Sequence, residues 1–207
     1  MHAPPARPIR LYRYRLSGHA HRVEAFLAIL GLPYERVEID IRAGEQRAPA
    51  FLALNPAGQV PVIEDDGLIL ADSNAILVYL ALAYAPESWV PRAPAEAAKV
   101  QRWLSLAAGP VAAGLSAARR SMIFGRGPDA AAQDIGRRFL TQLEPALEGG
   151  VFLVGEAPTI ADLALYAYIA RAPEGGLPLA PYPAVRAWLD RVERLPGFLA
   201  MPVAEAG

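Results

Sequence analysis

A proline inside a strand-like run is the feature that most limits how this chain can fold. Residues 59–64, with apolar Val60, Val62 and Ile63, predict a short strand, yet Pro61 stands near the centre of the run. Proline removes a ladder donor and is normally excluded from the interior of a sheet. A cis peptide bond before Pro61 would explain its position, because cis bonds occur almost only before proline and typically in tight turns.

Turn and cap residues flank this run on both sides. Residues 55–58, Asn-Pro-Ala-Gly, have the composition of a tight turn. Residues 65–67, Asp-Asp-Gly, predict a hairpin turn onto a second short strand. Asp72 and Ser73 then precede an apolar run, as helix caps do, so we expect a helix to begin there.

The predicted helix start at Asp72 and Ser73 has the chemistry of a site for an amino-acid headgroup. The first N–H groups of a helix are unpaired and carry about half a positive charge, so they stabilise an anion. Ser73 and the backbone can therefore hold a carboxylate, while the Asp72 carboxylate can pair with an ammonium group. The residues alone predict a ligand that carries both charges on one carbon.

A second cluster of candidate residues lies between the first predicted strand and the first predicted helix. Residues 9–14 predict the strand, and residues 21–30 predict the helix because their apolar side chains recur on one helical face. Ser17 and His19 lie in the turn between them. From the residues alone, Ser17 is either a cap or a functional hydroxyl.

In this order and spacing, the two segments resemble the amino-terminal domain of the cytosolic glutathione S-transferase superfamily, and in particular serine-type bacterial members of the zeta, phi or theta kind. The resemblance implies a thioredoxin-like fold. It implies that cis Pro61 turns the backbone N–H and C=O of Val60 toward the cysteinyl unit of glutathione. It also implies that Asp72 and Ser73 hold the γ-glutamyl end, and that Ser17 is catalytic and donates to the glutathione sulfur.

The same resemblance suggests three further contacts. Arg47 matches the position where phi-like members place a lysine near the glycyl carboxylate of glutathione, and Gln59 matches another such contact. A guanidinium group suits a carboxylate because it can donate two parallel hydrogen bonds. His19 is a possible assisting residue that could donate to the thiolate or to the substrate. For Arg47 and His19 the alternative is an ordinary solvated loop residue.

Two departures from the family pattern limit the reactions that this chain can catalyse. Zeta-class isomerases carry a Ser-Ser-Cys run where this chain has Ser17, Gly18 and His19, which weakens the isomerase interpretation. The chain contains no cysteine, so a mixed disulfide with the protein itself is excluded and any thiolate must arrive with the ligand. Without cysteine, and with three scattered histidines, the sequence predicts no metal site.

Composition and hydropathy indicate a globular protein with small-molecule partners. The 207 residues are 54% hydrophobic and the net charge is -1, so the chain can bury a substantial core and does not have the charge of a nucleic-acid binder. The amino-terminal segment lacks a hydrophobic signal core, and no apolar run is long enough to span a membrane. We therefore expect a cytoplasmic protein without membrane or nucleic-acid partners.

The carboxyl-terminal half predicts helices only. Residues 95–124 form an alanine-rich segment that we expect to bend at Gly109-Pro110, because proline removes a helix hydrogen bond. Another helix is predicted to begin at Pro128. Thr159 and Asp162 have the spacing of a capping box, in which each side chain accepts from the other residue's backbone N–H. We assign Asp162 to folding, although it is a carboxylate within an apolar run.

These features predict an α/β plus all-α protein, in which a thioredoxin-like amino-terminal domain is followed by a helical-bundle carboxyl-terminal domain. The predicted boundaries are residues 8–85 for the glutathione-binding domain, 86–94 for a linker and 95–202 for the helical acceptor-substrate domain. The expected function is conjugation of the glutathione thiolate to a small hydrophobic electrophile, with glutathione as cosubstrate and no metal. The expected acceptor pocket includes the segment near Arg119, and the family resemblance implies a homodimer.

Three other functions stay open from the sequence. A glutathione-dependent peroxidase or disulfide reductase could use the same site with two glutathione molecules. A glutathione-dependent isomerase would regenerate its thiol, so that no conjugate would accumulate. A non-enzymatic ligand-binding module could keep the fold without turnover.

Overall fold

The computed structural model describes residues 4–204, which divide into two compact units. The first unit runs to Pro86 and takes in Pro196–Pro202, and the second is Glu87–Leu195, continued from Val203. The sequence-based boundaries stay a prediction, but they assign residues 196–202 to the helical half, whereas this segment belongs with the first unit. None of the helices described is both long and apolar enough to cross a bilayer.

A four-stranded mixed sheet forms the centre of the first unit. In chain order its strands are β1 (Ile9–Arg13), β2 (Tyr34–Glu38), β3 (Val62–Asp65) and β4 (Leu68–Ala71). The spatial order is β2-β1-β3-β4, with β1 parallel to β2 and antiparallel to β3, and β3 antiparallel to β4. Together with its helices, this sheet confirms the thioredoxin-like fold expected from the sequence.

Both faces of the sheet are buried at the central strands β1 and β3. Tyr12 and Val62 are paired across β1 and β3, and they pack with Phe51 and Val60 on one face. Leu11 and Ile63 are the adjacent pair, and neither side chain is exposed to solvent. Because neighbouring residues of a strand point to opposite faces, this second pair lies in the core on the other side of the sheet.

Three α-helices complete the first unit, and they are α1 (Gly18–Ile29), α2 (Pro49–Leu52) and α3 (Ser73–Tyr84). The predicted start of α3 at Ser73 is confirmed. Helix α1 begins earlier than expected because Ser17 caps it, so His19 lies in its first turn rather than in a preceding loop. The helical turn Glu45–Arg47 and helix α2 were not predicted from the sequence.

The segment Pro196–Pro202 packs against α1 through His21. The imidazole Nε2 of His21 lies 2.7 Å from the carbonyl oxygen of Leu199, and the Phe198 ring packs edge-on against the imidazole. Gly197 lies so close to α1 that a Cβ there would be 2.8 Å from the carbonyl oxygen of Ala28. Nε2 must donate to a carbonyl oxygen, so this contact requires a protonated Nε2.

We expect His21 to make the folded state sensitive to mild acid. Burial lowers the pKa of His21 to about 4, although the hydrogen bond to Leu199 opposes the shift. Since the unfolded side chain protonates near pH 6.5, stability should fall as the pH drops from about 6.5 to about 4, by roughly 3 kcal/mol. Above pH 6.5 this contribution is fully present.

The measurement is urea unfolding as a function of pH. The difference in unfolding free energy between wild type and His21→Gln should shrink by that amount as the pH falls from 7 to 4. His19→Gln is the matched control, because it also removes one histidine and leaves the Leu199 contact intact. Parallel pH profiles for wild type and His21→Gln would contradict the burial argument.

The second unit is helical. Its α-helices are α4 (Pro94–Leu106), α5 (Ala117–Ile123), α6 (Ala130–Leu147), α7 (Ile160–Ala170) and α8 (Pro183–Glu193). A π-helical stretch, Ala107–Ser116, joins α4 to α5 and contains Pro110, where the sequence predicts a bend. Helix α6 begins after Asp129, whose side chain accepts from the Ala132 N–H, and not at Pro128.

A capping box starts the buried helix α7, as the sequence predicts. The Asp162 Oδ2 accepts from the backbone N–H of Thr159 at 2.9 Å, and the Thr159 side chain accepts from the first turn of the helix. The other Asp162 oxygen, Oδ1, accepts from the backbone N–H of Leu153 and from the indole Nε1 of Trp188. Asp162 is 0% exposed, so this carboxylate joins three parts of the helical unit.

Candidate functional site

The strand registers bring three loops to one edge of the sheet. Tyr12 pairs with Val62 near the end of β1, and Val62 pairs with Ala71 near the end of β4. Because β3 is antiparallel to both neighbours, the loop that enters β3 lies beside the loops that leave β1 and β4. This edge therefore collects the starts of helices α1 and α3 together with Pro61.

The loop that enters β3 has a cis peptide bond between Val60 and Pro61. Asn55 organises the turn before it: the side-chain Nδ2 donates to the carbonyl oxygen of Gln59 at 2.7 Å, and Oδ1 accepts from the N–H of Ala57. Val60 packs in the buried cluster that contains Tyr12, Phe51 and Val62, and this packing orients its backbone relative to the sheet. The side chain of Val60 is therefore a core group, and only its backbone is a candidate for ligand contact.

Ser17 lies at the start of α1, as its N-cap. Its Oγ accepts from the backbone N–H of Ala20 at 3.2 Å. A serine hydroxyl has one proton and two lone pairs, so a capping hydroxyl keeps its proton for another acceptor. The cap and a donor role toward a ligand are therefore compatible, and the two interpretations of Ser17 do not exclude each other.

Asp72 combines a cap with an uncommon backbone conformation. Its Oδ1 accepts from the N–H groups of Asn74 and Ala75, both at 2.9 Å, at the start of α3. Its φ is 72°, in the left-handed region that few residues other than glycine adopt. Within residues 4–204, Oδ2 takes no hydrogen bond. One oxygen therefore serves the helix, while the exposed carboxylate can still pair with a cation.

Ser73 is the point where the starts of α1 and α3 meet. Its Oγ lies 3.4 Å from the Nδ1 of His19, in the first turn of α1. The same Oγ accepts from the Nη1 of Arg22 at 3.3 Å, and that Nη1 also donates to the Oδ1 of Asn74 at 2.8 Å. Two helix starts and a guanidinium group thus converge on one hydroxyl, an arrangement suited to binding an anion.

Arg47 ends the helical turn Glu45–Arg47, Gln59 lies in the loop that enters β3, and both side chains are exposed. Gly58 is packed beside the loop of Arg47, because a Cβ there would lie 3.1 Å from the carbonyl oxygen of Gln46. Within residues 4–204, no hydrogen bond joins either side chain to Ser17 or Ser73. Their participation in the site stays a prediction.

Among residues 4–204, no group of three or more His, Asp or Glu side chains is arranged to hold a metal ion.

Arg22 was missed by the sequence-based assignment, which treated it as part of the α1 helix. It follows His19 by three residues, so the two side chains share a face of α1, and this spacing was the available signal.

Arg119, expected near an acceptor pocket, is 2% exposed, and its Nε donates to the Glu174 carboxylate at 2.7 Å. Arg119 therefore has a structural partner within the helical unit.

Comparisons with known proteins match both halves of the chain. Residues 7–82 match the family model described as "Glutathione S-transferase, N-terminal domain", and residues 128–196 match "Glutathione S-transferase, C-terminal domain". Glutathione S-transferase 3 of Zea mays is 34% identical to this chain, over 92% of the chain and 91% of the relative. A maleylacetoacetate isomerase of Rhizobium meliloti is also 34% identical, over 87% and 89%.

A solved structure is similar over nearly the whole chain. The crystal structure of a glutathione S-transferase from Pseudomonas fluorescens is 34% identical, has a TM-score of 0.89, and matches 94% of this chain and 99% of its own. Sequence and structure comparisons thus point to the same family for both units.

Proposed function

The chain belongs to the glutathione S-transferase family, and from this premise we propose that it conjugates the thiolate of glutathione to a small hydrophobic electrophile. The observation that carries the proposal is the meeting of the α1 and α3 starts at Ser73, beside the cis Val60–Pro61 bond. This arrangement offers a donor for a thiolate and a site for a charged headgroup at the same edge of the sheet.

Each site residue has a proposed role in this reaction. Ser17 donates to the thiolate, and the Val60 backbone, turned by Pro61, aligns the cysteinyl unit. Asp72 pairs with the ammonium group of the γ-glutamyl end, and Ser73 holds its carboxylate. Arg47 and Gln59 are proposed contacts for the glycyl carboxylate, which a guanidinium group can bind through two hydrogen bonds. His19, next to Ser73, is proposed to assist at the headgroup end.

Calorimetric titration with glutathione tests the binding step, and an assay with chlorodinitrobenzene tests the transfer step. Binding followed by accumulation of the conjugate supports a transferase. Turnover of peroxides or disulfides without conjugate would favour the reductase alternative. Binding without any turnover would favour the non-enzymatic module, and absence of binding would overturn the proposal.

An isomerase is the second candidate, because a relative of equal identity is named a maleylacetoacetate isomerase. Such an enzyme adds the thiolate to its substrate and then releases it, so glutathione is not consumed. The Ser17-Gly18-His19 run differs from the Ser-Ser-Cys run of the zeta class. Isomerisation of maleylacetoacetate with constant glutathione concentration would favour this function over conjugation.

We expect Asp72→Asn to remove the negative charge at position 72 while keeping the N-cap of α3. Asparagine caps helices as well as aspartate and tolerates positive φ, so α3 should be retained. Loss of the charged partner should weaken glutathione binding by about 1.5 to 3 kcal/mol, or one to two decades in dissociation constant. The measurement is calorimetric titration of folded protein.

A ligand analogue provides the control for this variant. Glutaryl-cysteinyl-glycine keeps the carboxylate of the γ-glutamyl end but lacks its ammonium group. Asp72→Asn should bind this analogue as wild type does. If it loses the same affinity for glutathione and for the analogue, Asp72 does not pair with the ammonium group.

We also propose a homodimer. Among residues 4–204, Leu68 and Ile69 on edge strand β4 and Leu82 on α3 are exposed apolar side chains, with Leu82 57% exposed. An exposed apolar edge strand favours association with a partner surface. Sedimentation equilibrium at micromolar concentration should give twice the chain mass of 22.2 kDa, and a mass equal to one chain would contradict the proposal.

A further inference from the structure

Arg22 is a buried arginine that links the two helix starts of the site. It is 1% exposed, although it belongs to the first half of α1 and carries a charge at every physiological pH. Its Nη1 reaches across to α3, where it donates to Ser73 and to Asn74. A buried guanidinium group is costly unless hydrogen bonds and charge compensate for lost hydration.

The direction of these hydrogen bonds constrains the Ser73 hydroxyl. A guanidinium group has donors and no acceptor, so Ser73 Oγ must accept from Arg22. The hydroxyl proton of Ser73 then points away from Arg22, either toward the neighbouring Nδ1 of His19 or toward a ligand. When this proton points toward the ligand, a carboxylate bound at the start of α3 meets a donated O–H rather than a lone pair.

We propose that Arg22 is a positioning residue for the γ-glutamyl carboxylate, acting through Ser73. It holds the hydroxyl in the donating orientation, and it places a buried positive charge behind the hydroxyl that receives the anion. Low polarizability around the guanidinium group strengthens this effect compared with an arginine in water. The inference rests on the proposed function, because it assigns Arg22 to binding of the glutathione headgroup.

The test uses Arg22→Met, which removes the donors and the charge but keeps an unbranched apolar side chain. The ligands are glutathione and 4-aminobutyryl-cysteinyl-glycine, an analogue that keeps the ammonium group but lacks the γ-glutamyl carboxylate. The dissociation constant of glutathione should rise about tenfold or more. The dissociation constant of the analogue should stay within about twofold, because the analogue has no carboxylate for Ser73 to receive.

Kinetics provide a second readout. With saturating glutathione, kcat of Arg22→Met should stay near that of wild type while KM for glutathione rises, since the thiolate donor Ser17 is unchanged. Arg22→Lys keeps the charge and a donor group on a flexible side chain, so it should recover part of the affinity for glutathione. Arg10→Met, on β1, removes a half-exposed arginine of the same unit and should leave both ligands unaffected.

Equal loss of affinity for glutathione and for the analogue would overturn the proposal, because Arg22 would then support the fold in general. If Arg22→Met does not fold, the same comparison is made with Arg22→Lys, for which equal losses carry the same meaning. In wild type, failure of glutathione to bind would remove the proposed function itself. If wild type binds glutathione but the Arg22 variants lose equal affinity for glutathione and for the analogue, only the Arg22 inference is overturned.

Discussion

Replacement of Asp162 by alanine is expected to destabilise the helical unit by about 3 to 9 kcal/mol, because three N–H donors lose their acceptor and each unpaired donor costs about 1 to 3 kcal/mol. The donors are the backbone N–H groups of Thr159 and Leu153 and the indole of Trp188. This loss is larger than that of an ordinary cap, which contributes about 0.5 to 2 kcal/mol. Since domains are stable by only about 5 to 15 kcal/mol, a large part of the protein should be unfolded or aggregated.

Urea unfolding of the purified variant measures this effect. Thr159→Ala is the matched control, because it removes only the cap hydroxyl, and its cost should be about 0.5 to 2 kcal/mol. Glutathione affinity of the folded fraction should be unchanged in both variants. Unaltered unfolding of Asp162→Ala together with lost turnover would mean that Asp162 has a catalytic role.

Removal of the Ser17 hydroxyl is expected to raise the pKa of the bound glutathione thiol by roughly one to two units, because a hydrogen bond to a charged acceptor contributes about 1.5 to 3 kcal/mol. A free thiol has a pKa of about 8.5 and is mostly protonated at neutral pH. Turnover near pH 7 should therefore fall by about one to two decades, with a smaller loss at high pH. The measurement is thiolate ultraviolet absorbance as a function of pH, alongside the pH profile of turnover.

The choice of substitution matters because Ser17 also caps α1. Ser17→Ala removes the donor and the cap, whereas Ser17→Gly removes the donor and costs the helix only a few tenths of a kcal/mol. Both variants should show the same shift in thiol pKa and differ in stability. A wild-type absorbance titration with undiminished turnover in Ser17→Gly would exclude Ser17, and His19 or a backbone N–H of the same turn would be tested next.

Features specified by neighbouring residues could be predicted from the sequence. The start of α3 at Ser73 and the capping box of Thr159 and Asp162 are confirmed, because in each case the cap and its partners lie within three or four residues. The motif around Pro61 likewise identified the family, which the comparisons show. These are local signals, and local chemistry determines them almost completely.

Features that depend on distant contacts could not be predicted. Arg22 donates a hydrogen bond to Ser73, which lies 51 positions away in the chain. No residue near Arg22 in the sequence indicates that partner. The passage of the π-helical stretch over α6 depends on two glycines far apart, since a Cβ at Gly114 would lie 2.5 Å from the backbone nitrogen of Gly136. The hydrogen bond that Asp162 accepts from the indole of Trp188 also joins two different helices, α7 and α8.

The return of Pro196–Pro202 to the first unit has a consequence for biosynthesis. The amino-terminal unit receives the contacts of Phe198 and Leu199 with His21 from residues that follow the helical unit in the chain. The sheet and its helices can form early, but the surface of α1 around His21 stays uncovered until the whole helical unit has been synthesised. Vectorial synthesis therefore lets the first unit begin folding before the helical unit exists, but completes it only after residues 87–195 have been synthesised.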